Sequence, residues 1–290
     1  MLLIFFMKDN KTSDWTLEIT PRTGWLKINL AELWRYRDLL ILFVKRDIVV
    51  TYKQTVLGPL WFFVQPILTT IMFTVVFGNI AKISTGGVPP LLFYLSAIIA
   101  WNYFAECLKT TSDAFKKNED IFGKVYFPRI IMPLSIVLSN LVKFGIQFLL
   151  FLCFWLFYFF QGSDLYIRPE VILLPVLICM VAGLGLGFGM IVSSLTTKYR
   201  DLTFLIQFGI QLAMYATPVI YPLATAPEKY RALILINPMT SIIEAFRHIF
   251  LGAGSFDIFN LSYSFISMIV VFFIGLLIFQ RTERTFMDTI

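Results

Sequence analysis

The chain is 290 residues long, 58% hydrophobic and only 14% charged, with a formal net charge of +6. Soluble domains carry nearer a quarter charged residues, so this composition excludes an ordinary soluble protein and implies a polytopic membrane protein. The surplus of cations does not imply nucleic-acid binding, because lysines and arginines crowd into segments flanking apolar spans, where a membrane-orientation signal accounts for them.

Residues 1–7 are apolar but lack a basic n-region and run straight into Lys8, so a cleaved signal peptide is not expected. Residues 8–33 are polar and mixed, with Pro21 and Gly24 as breakers and Trp15, Trp25 and Trp34 as interface anchors. Residues 35–66 are the stretch around which the rest is organised. Arg35, Asp38, Lys45, Arg46 and Lys53 recur at roughly helical spacing, and Leu33, Leu40, Val44 and Ile48 mark another face. This spacing predicts an amphipathic helix lying on a membrane surface, which turns through Gly58-Pro59 into the first span. The expected domain division is therefore a cytosolic segment over 1–58 and a transmembrane domain over 59–290.

Six apolar stretches follow, at 60–80, 91–107 or slightly beyond, 130–160, 170–195, 202–221 and 260–279. Each approaches or exceeds the about 20 residues that a helix needs to cross a bilayer, and the third is long enough to tilt or protrude. The fourth carries Gly183, Gly185, Gly187 and Gly189, two overlapping small-xxx-small pairs that permit close helix packing. Residues 223–259 offer no clean crossing, being broken by Pro227, Pro238, Gly252 and Gly254; they read as two short helices that dip partway in and return. The expected fold is an all-α membrane protein: six transmembrane helices, an N-terminal amphipathic interface helix, and two short re-entrant helices between spans five and six. Of the 24 lysines and arginines, eighteen fall on the side of both termini and five on the other, which makes both termini cytosolic.

No GxxxxGK[ST] motif occurs, so the chain is not expected to hydrolyse nucleotide, and any work must be powered by another chain. The lone His248 has no Cys-His or Ser-His pattern, and Cys107, Cys153 and Cys179 lack metal-ligand spacing. No catalytic residue, metal or cofactor is expected here. Glu106 and Lys143 lie within spans, where charges are costly and usually paired or functional. They are expected to pair, with a substrate contact as the alternative, although counting from the span ends leaves their depths roughly 12 Å apart.

Several motifs fall in a recognisable order: residues 52–61 (YKQTVLGPLW) with Gln65-Pro66, then Phe127-Pro128-Arg129 with Met132-Pro133-Leu134, Arg200-Asp201, Asn237-Pro238, and Glu244-Ala245-Phe246-Arg247. From about residue 30 onward the chain resembles the ABC-2 permeases that export polysaccharides: O antigen, capsule and teichoic acid. Residues 1–29 match poorly. The resemblance implies a homodimer working with two copies of a separate ABC ATPase, which holds the ATP and Mg. The cargo implied is a polymer on a polyprenyl diphosphate lipid, most of all O antigen, moved across the cytoplasmic (inner) membrane. It further implies that the ATPase docks on the N-terminal helix (Arg35, Lys45, Arg46) and on the loop after span two (Glu119, Asp120, Phe122), and that residues 223–259 form an outer gate.

Aromatic faces can stack on sugar rings. Trp61, Phe62, Tyr215 and Tyr221, at span ends beside the motifs, are candidates for a substrate path or for simple packing. Arg46, Lys53 and Arg129 either meet the lipid diphosphate or anchor the chain as ordinary interface cations. A secondary transporter would instead show repeats and coupling carboxylates, and a membrane glycosyltransferase would show acidic or histidine clusters.

Overall fold

The computed structural model describes residues 30–53, 56–118, 121, 127–199 and 201–286, and every regular element among them is a helix. α1 (Leu30–Arg35) passes through Tyr36 into α2 (Arg37–Tyr52). α2 is less cleanly two-faced than its charge spacing predicts. Phe43 is its buried anchor, with its ring centroid 5.7 Å from that of Phe127, and Leu33, Leu39 and Leu40 pack beside it. Ile41, Leu42, Val49 and Val50 remain exposed, so apolar side chains surround the helix; one set is covered by protein and the other suits a bilayer boundary.

α3 (Gly58–Ile80) opens with a tight turn on Gly58 and Pro59, continues as α-helix over Trp61–Phe73, and loosens into a π-helical stretch over Thr74–Ile80. α4 (Pro90–Ser112) starts on a proline, whose fixed φ and missing N–H suit a first turn. The short α5 (Ala114–Lys117) follows, and then α6 (Ile131–Phe160), α7 (Pro169–Thr196) and α8 (Leu202–Ala216). The chain ends with α9 (Glu228–Ile236), α10 (Pro238–Leu251) and α11 (Ile258–Phe286).

Among the described residues five helices, α3, α4, α6, α7 and α11, are long and apolar enough to cross a membrane. α8 corrects the boundary expected for span five: it has 15 residues, about 22 Å of helix against a hydrocarbon core of about 30 Å. The chain path still requires a return there. Gly183 and Gly187 of α7 face Met268 and Phe272 of α11, so these two helices run parallel, and the chain must come back between residues 197 and 257. α8 supplies most of that return and the non-helical residues 217–222 the rest.

The core is α4, α7 and α11. Gly185 and Gly189 meet Phe104, Cys107, Leu108 and Thr111 on α4, whereas Gly183 and Gly187 meet α11. A methyl group on Gly187 would lie 2.9 Å from the Phe272 Cα, and one on Gly275 of α11 would run into the Gly187 carbonyl. The two small-xxx-small pairs thus serve different neighbours, and α7 is packed backbone-close on both sides. α6 runs antiparallel to α4: Asn140 Nδ2 donates to Thr110 Oγ1 at 3.0 Å, and the Tyr103 and Phe144 rings lie 5.1 Å apart. Farther along α6, Trp155 Nε1 donates to the Phe250 carbonyl at 2.7 Å, and Phe148 and Phe151 interleave with Phe246 and Phe250.

Candidate functional site

Asn237-Pro238 makes the reversal between α9 and α10, whose axes bend by 101°. The Asn237 side chain accepts from Met239 N at 3.0 Å as an N-cap, and donates to Thr217 Oγ1 at 2.7 Å, while Pro238 fills the first helical position. Ile242 and Phe246 of α10 share a small cavity with Ala100 and Tyr103 of α4. Ala100 lies about 15 Å along α4 from Pro90, so the pair enters to roughly half the depth of the bundle and returns, in the form of the two dipping helices expected.

Glu244 and Arg247, three residues apart on α10, are 2% and 1% exposed. Arg247 Nη1 lies 3.4 Å from Glu244 Oε1. The same nitrogen donates to the Pro218 carbonyl at 2.6 Å and the Tyr221 carbonyl at 3.4 Å; Nη2 donates to the Val219 carbonyl at 2.6 Å. The guanidinium also stands over the Phe93 ring, 3.7 Å from its centroid. Glu244 Oε2 in turn accepts from Ser255 N at 3.0 Å and Ser255 Oγ at 3.3 Å. That approach needs Gly254, at φ +116°, where a methyl group would lie 2.7 Å from the Glu244 carbonyl. Arg247 therefore satisfies the carbonyls released where α8 ends, which is the condition for non-helical backbone at membrane depth. Arg247, one of the five cations counted on the side opposite the termini, is buried and does not face solvent there. The usable signal was a Glu and an Arg one turn apart in an otherwise apolar helix.

α3 and α8 form the second feature. On α3, Trp61, Gln65, Leu68 and Met72 share one exposed face; on α8, Phe204, Gln207, Phe208, Gln211 and Tyr215 do the same, and α8 buries none of its residues within this chain. A glutamine turned to hydrocarbon leaves its amide unsatisfied, so these faces suit a polar path or a partner chain better than lipid. The outward face of α11 offers the contrast: Phe265, Ile266, Ile269, Val270, Phe273 and Ile274 are exposed without an interleaved amide. Trp61 and Tyr215 lie on the amide-bearing faces. Phe62 and Tyr221 do not: Phe62 is half-buried with Lys143 Nζ 5.8 Å from its ring centroid, and Tyr221 packs half-buried against the core beside Arg247. The four aromatics do not form one cluster, since Trp61 and Phe62 lie in the first turns of α3, Tyr215 in the last turn of α8 and Tyr221 beyond it.

The expected cations separate as well. Arg46 binds Asp47 Oδ1 through Nε at 2.9 Å and Nη2 at 2.7 Å, reaches Asn118 Oδ1 at 3.4 Å, and covers the Phe43 ring. Arg129, read as either a lipid-diphosphate contact or an ordinary interface cation, donates to the Glu283 carbonyl at 2.8 Å with its Nε 3.8 Å from the Glu283 carboxylate, and so fastens the end of α11. Arg35, Lys45 and Lys53 are exposed, while Glu119, Asp120 and Phe122 fall outside the described residues.

The Glu106 and Lys143 pairing also needs correction. No ion pair within 4.0 Å joins them, although the Thr110–Asn140 hydrogen bond sets Lys143 opposite Cys107 and hence almost level with Glu106. The expected depth gap closes because α6 is 30 residues long and its first turns precede the crossing. Rotation about the helix axes, which turns Lys143 toward Phe62, keeps the charges apart.

Residues 38–251 match the family model described as ABC-2 type transporter. The chain is 28% identical over 266 residues to the O-antigen export system permease protein RfbA of Klebsiella pneumoniae, covering 91% of this chain and 98% of that protein. To the protein of the same name from Myxococcus xanthus it is 30% identical over 223 residues, 76% of this chain and 83% of the relative. It is 22% identical over 251 residues to the polysialic acid transport protein KpsM of Escherichia coli, covering 84% and 93%.

Proposed function

The chain belongs to the ABC-2 type transporter family, and from that premise we propose that it is the transmembrane permease of an ABC exporter that moves lipid-linked polysaccharide across the inner membrane. The names of its relatives favour O antigen over polysialic acid, since the polysialic acid transport protein is less similar to this chain. Two copies of the chain work with two copies of a separate ABC ATPase, which binds the ATP and Mg. Both termini are cytosolic. The ATPase docks at the basic end of the bundle, on α2 through Arg35, Lys45 and Arg46 and on the loop holding Glu119, Asp120 and Phe122. The α9–α10 pair is the outer gate, and Arg247 pins it to the end of α8.

The observation that carries this reading is the pair of exposed faces on α3 and α8, where Trp61, Phe204, Phe208 and Tyr215 alternate with Gln65, Gln207 and Gln211. Aromatic faces with amides between them hold sugar rings without gripping one unit, as a moving polymer requires. Two copies supply two such faces. Proteoliposomes holding this chain, its cognate ATPase and lipid-linked O antigen test the reading: ATP should carry glycan to the leaflet where an external glycosidase digests it, and neither subunit alone should do so. Movement by this chain without the ATPase would contradict it.

A further inference from the structure

A cavity of about 400 Å³ opens among α2, α4, α6 and the residues just after α5. Its charged lining is Arg46, Asp47, Lys117 and Lys143. Thr110, Ser139 and Asn140 form a polar wall, and Val50 and Ile136 an apolar edge. Its depth follows from two independent counts. About 20 residues of helix cross the hydrocarbon; measured back from Phe160 on α6 the boundary falls near Leu141, and measured forward from Pro90 on α4 it falls near Lys109. The Asn140–Thr110 hydrogen bond joins the two helices at that level. The cavity therefore lies where lipid headgroups meet the basic end of the bundle.

Among the described residues its charge is unbalanced, with three cations against one carboxylate. Arg46 leans on Asp47 at 2.7 Å, and Lys117 reaches Asp113 at 3.5 Å. Lys143 is half-buried and, among the described residues, has no carboxylate within 4.0 Å; its ammonium stands 5.8 Å from the Phe62 ring centroid. An ammonium at the hydrocarbon boundary reaches the headgroup layer, and cations clustered there attract anionic groups. Asn140, which donates through Nδ2 to Thr110 Oγ1 and hydrogen-bonds the Cys107 thiol, holds α6 against α4 beside the cavity. A volume near 400 Å³ holds a headgroup, and the apolar edge admits the start of a lipid chain.

We propose that this cavity binds the phosphate of a lipid in the adjoining leaflet, with Lys143 as its principal cation and Arg46 as the second. The inference rests on the chain's place in the membrane and not on the identity of the exported polymer. A resident acidic phospholipid and a polyprenyl diphosphate share the chemistry. The test uses the full chain in phosphatidylcholine nanodiscs, titrated with phosphatidylglycerol or with polyprenyl diphosphate and read by native mass spectrometry and thermal shift. Both acidic lipids should be retained, Lys143→Gln should weaken them at least about fivefold, and Lys143→Arg and the control Lys109→Gln should not. If Lys143→Gln fails to insert, Ile136→Trp, which fills the cavity and keeps every charge, should weaken binding likewise. A preference for the diphosphate assigns the site to cargo entry, and equal affinity assigns it to a resident lipid. Wild-type affinity in both cavity variants, or an equal loss in Lys109→Gln, would overturn the proposal. The assay contains no ATPase, glycan or transport step, so its failure leaves the export reading standing.

Discussion

α7 and α8 are consecutive and both strongly apolar, yet they behave oppositely. A methyl group on any glycine of the 183–189 run on α7 would run into a neighbouring helix, while one on Gly209 of α8 would meet nothing within 4 Å; α7 is packed on two sides, while α8 buries nothing. Hydrophobicity alone therefore does not separate a helix built into the frame from one turned to a path or a partner. The small residues do so where their spacing matches two neighbours, and the amides do so where they interrupt an outward aromatic face. α4, α7 and α11 read as the fixed frame and α3 and α8 as the working surface, with Arg247 at the joint between them.

The joint should give the largest effect. Arg247→Met strips three carbonyls and Glu244 of their partner, and the cost expected for breaking such a buried pair is about 3–5 kcal/mol, seen as a large fall in melting temperature in detergent. Adding Glu244→Gln should recover part of it; an unchanged melting temperature in the single variant would show that α8 and α10 are not coupled there. The frame and the working surface differ next. Gly187→Leu should cost about 2–3 kcal/mol or more by forcing α7 from α11, whereas Gly209→Leu should stay within about 0.5 kcal/mol. Equal losses would erase the distinction between the two helices. The smallest effect is expected between Glu106 and Lys143: Glu106→Gln and Lys143→Met should add to within about 0.5 kcal/mol in a double-mutant cycle, and coupling well above that would mean the charges do meet.

These regions also differ in how far the sequence discloses them. The long spans and the Asn237-Pro238 reversal are legible because their causes are local: an apolar run, a capping side chain, a proline at a first turn. The end of α8 is not. It is set by Arg247, 29 residues from Pro218 in the chain, and Arg129 likewise finds Glu283 across 154 residues. Spacing along one helix places Lys143 at a depth but says nothing of its rotation toward Phe62 rather than Glu106. Gln207 and Gln211 are plain in the sequence, but an apolar periodicity passes over them, and only the packing of the other helices shows that they face outward.

In the exporting complex the amide-and-aromatic faces should meet the glycan and the apolar outward face of α11 should not. Photo-reactive benzoylphenylalanine at Gln211 and, separately, at Ile266 tests it in cells that are exporting polymer. Glycan-bearing adducts of the chain should form at position 211 and be absent at 266. No glycan adduct at 211, or equal yields at the two positions, would contradict the account.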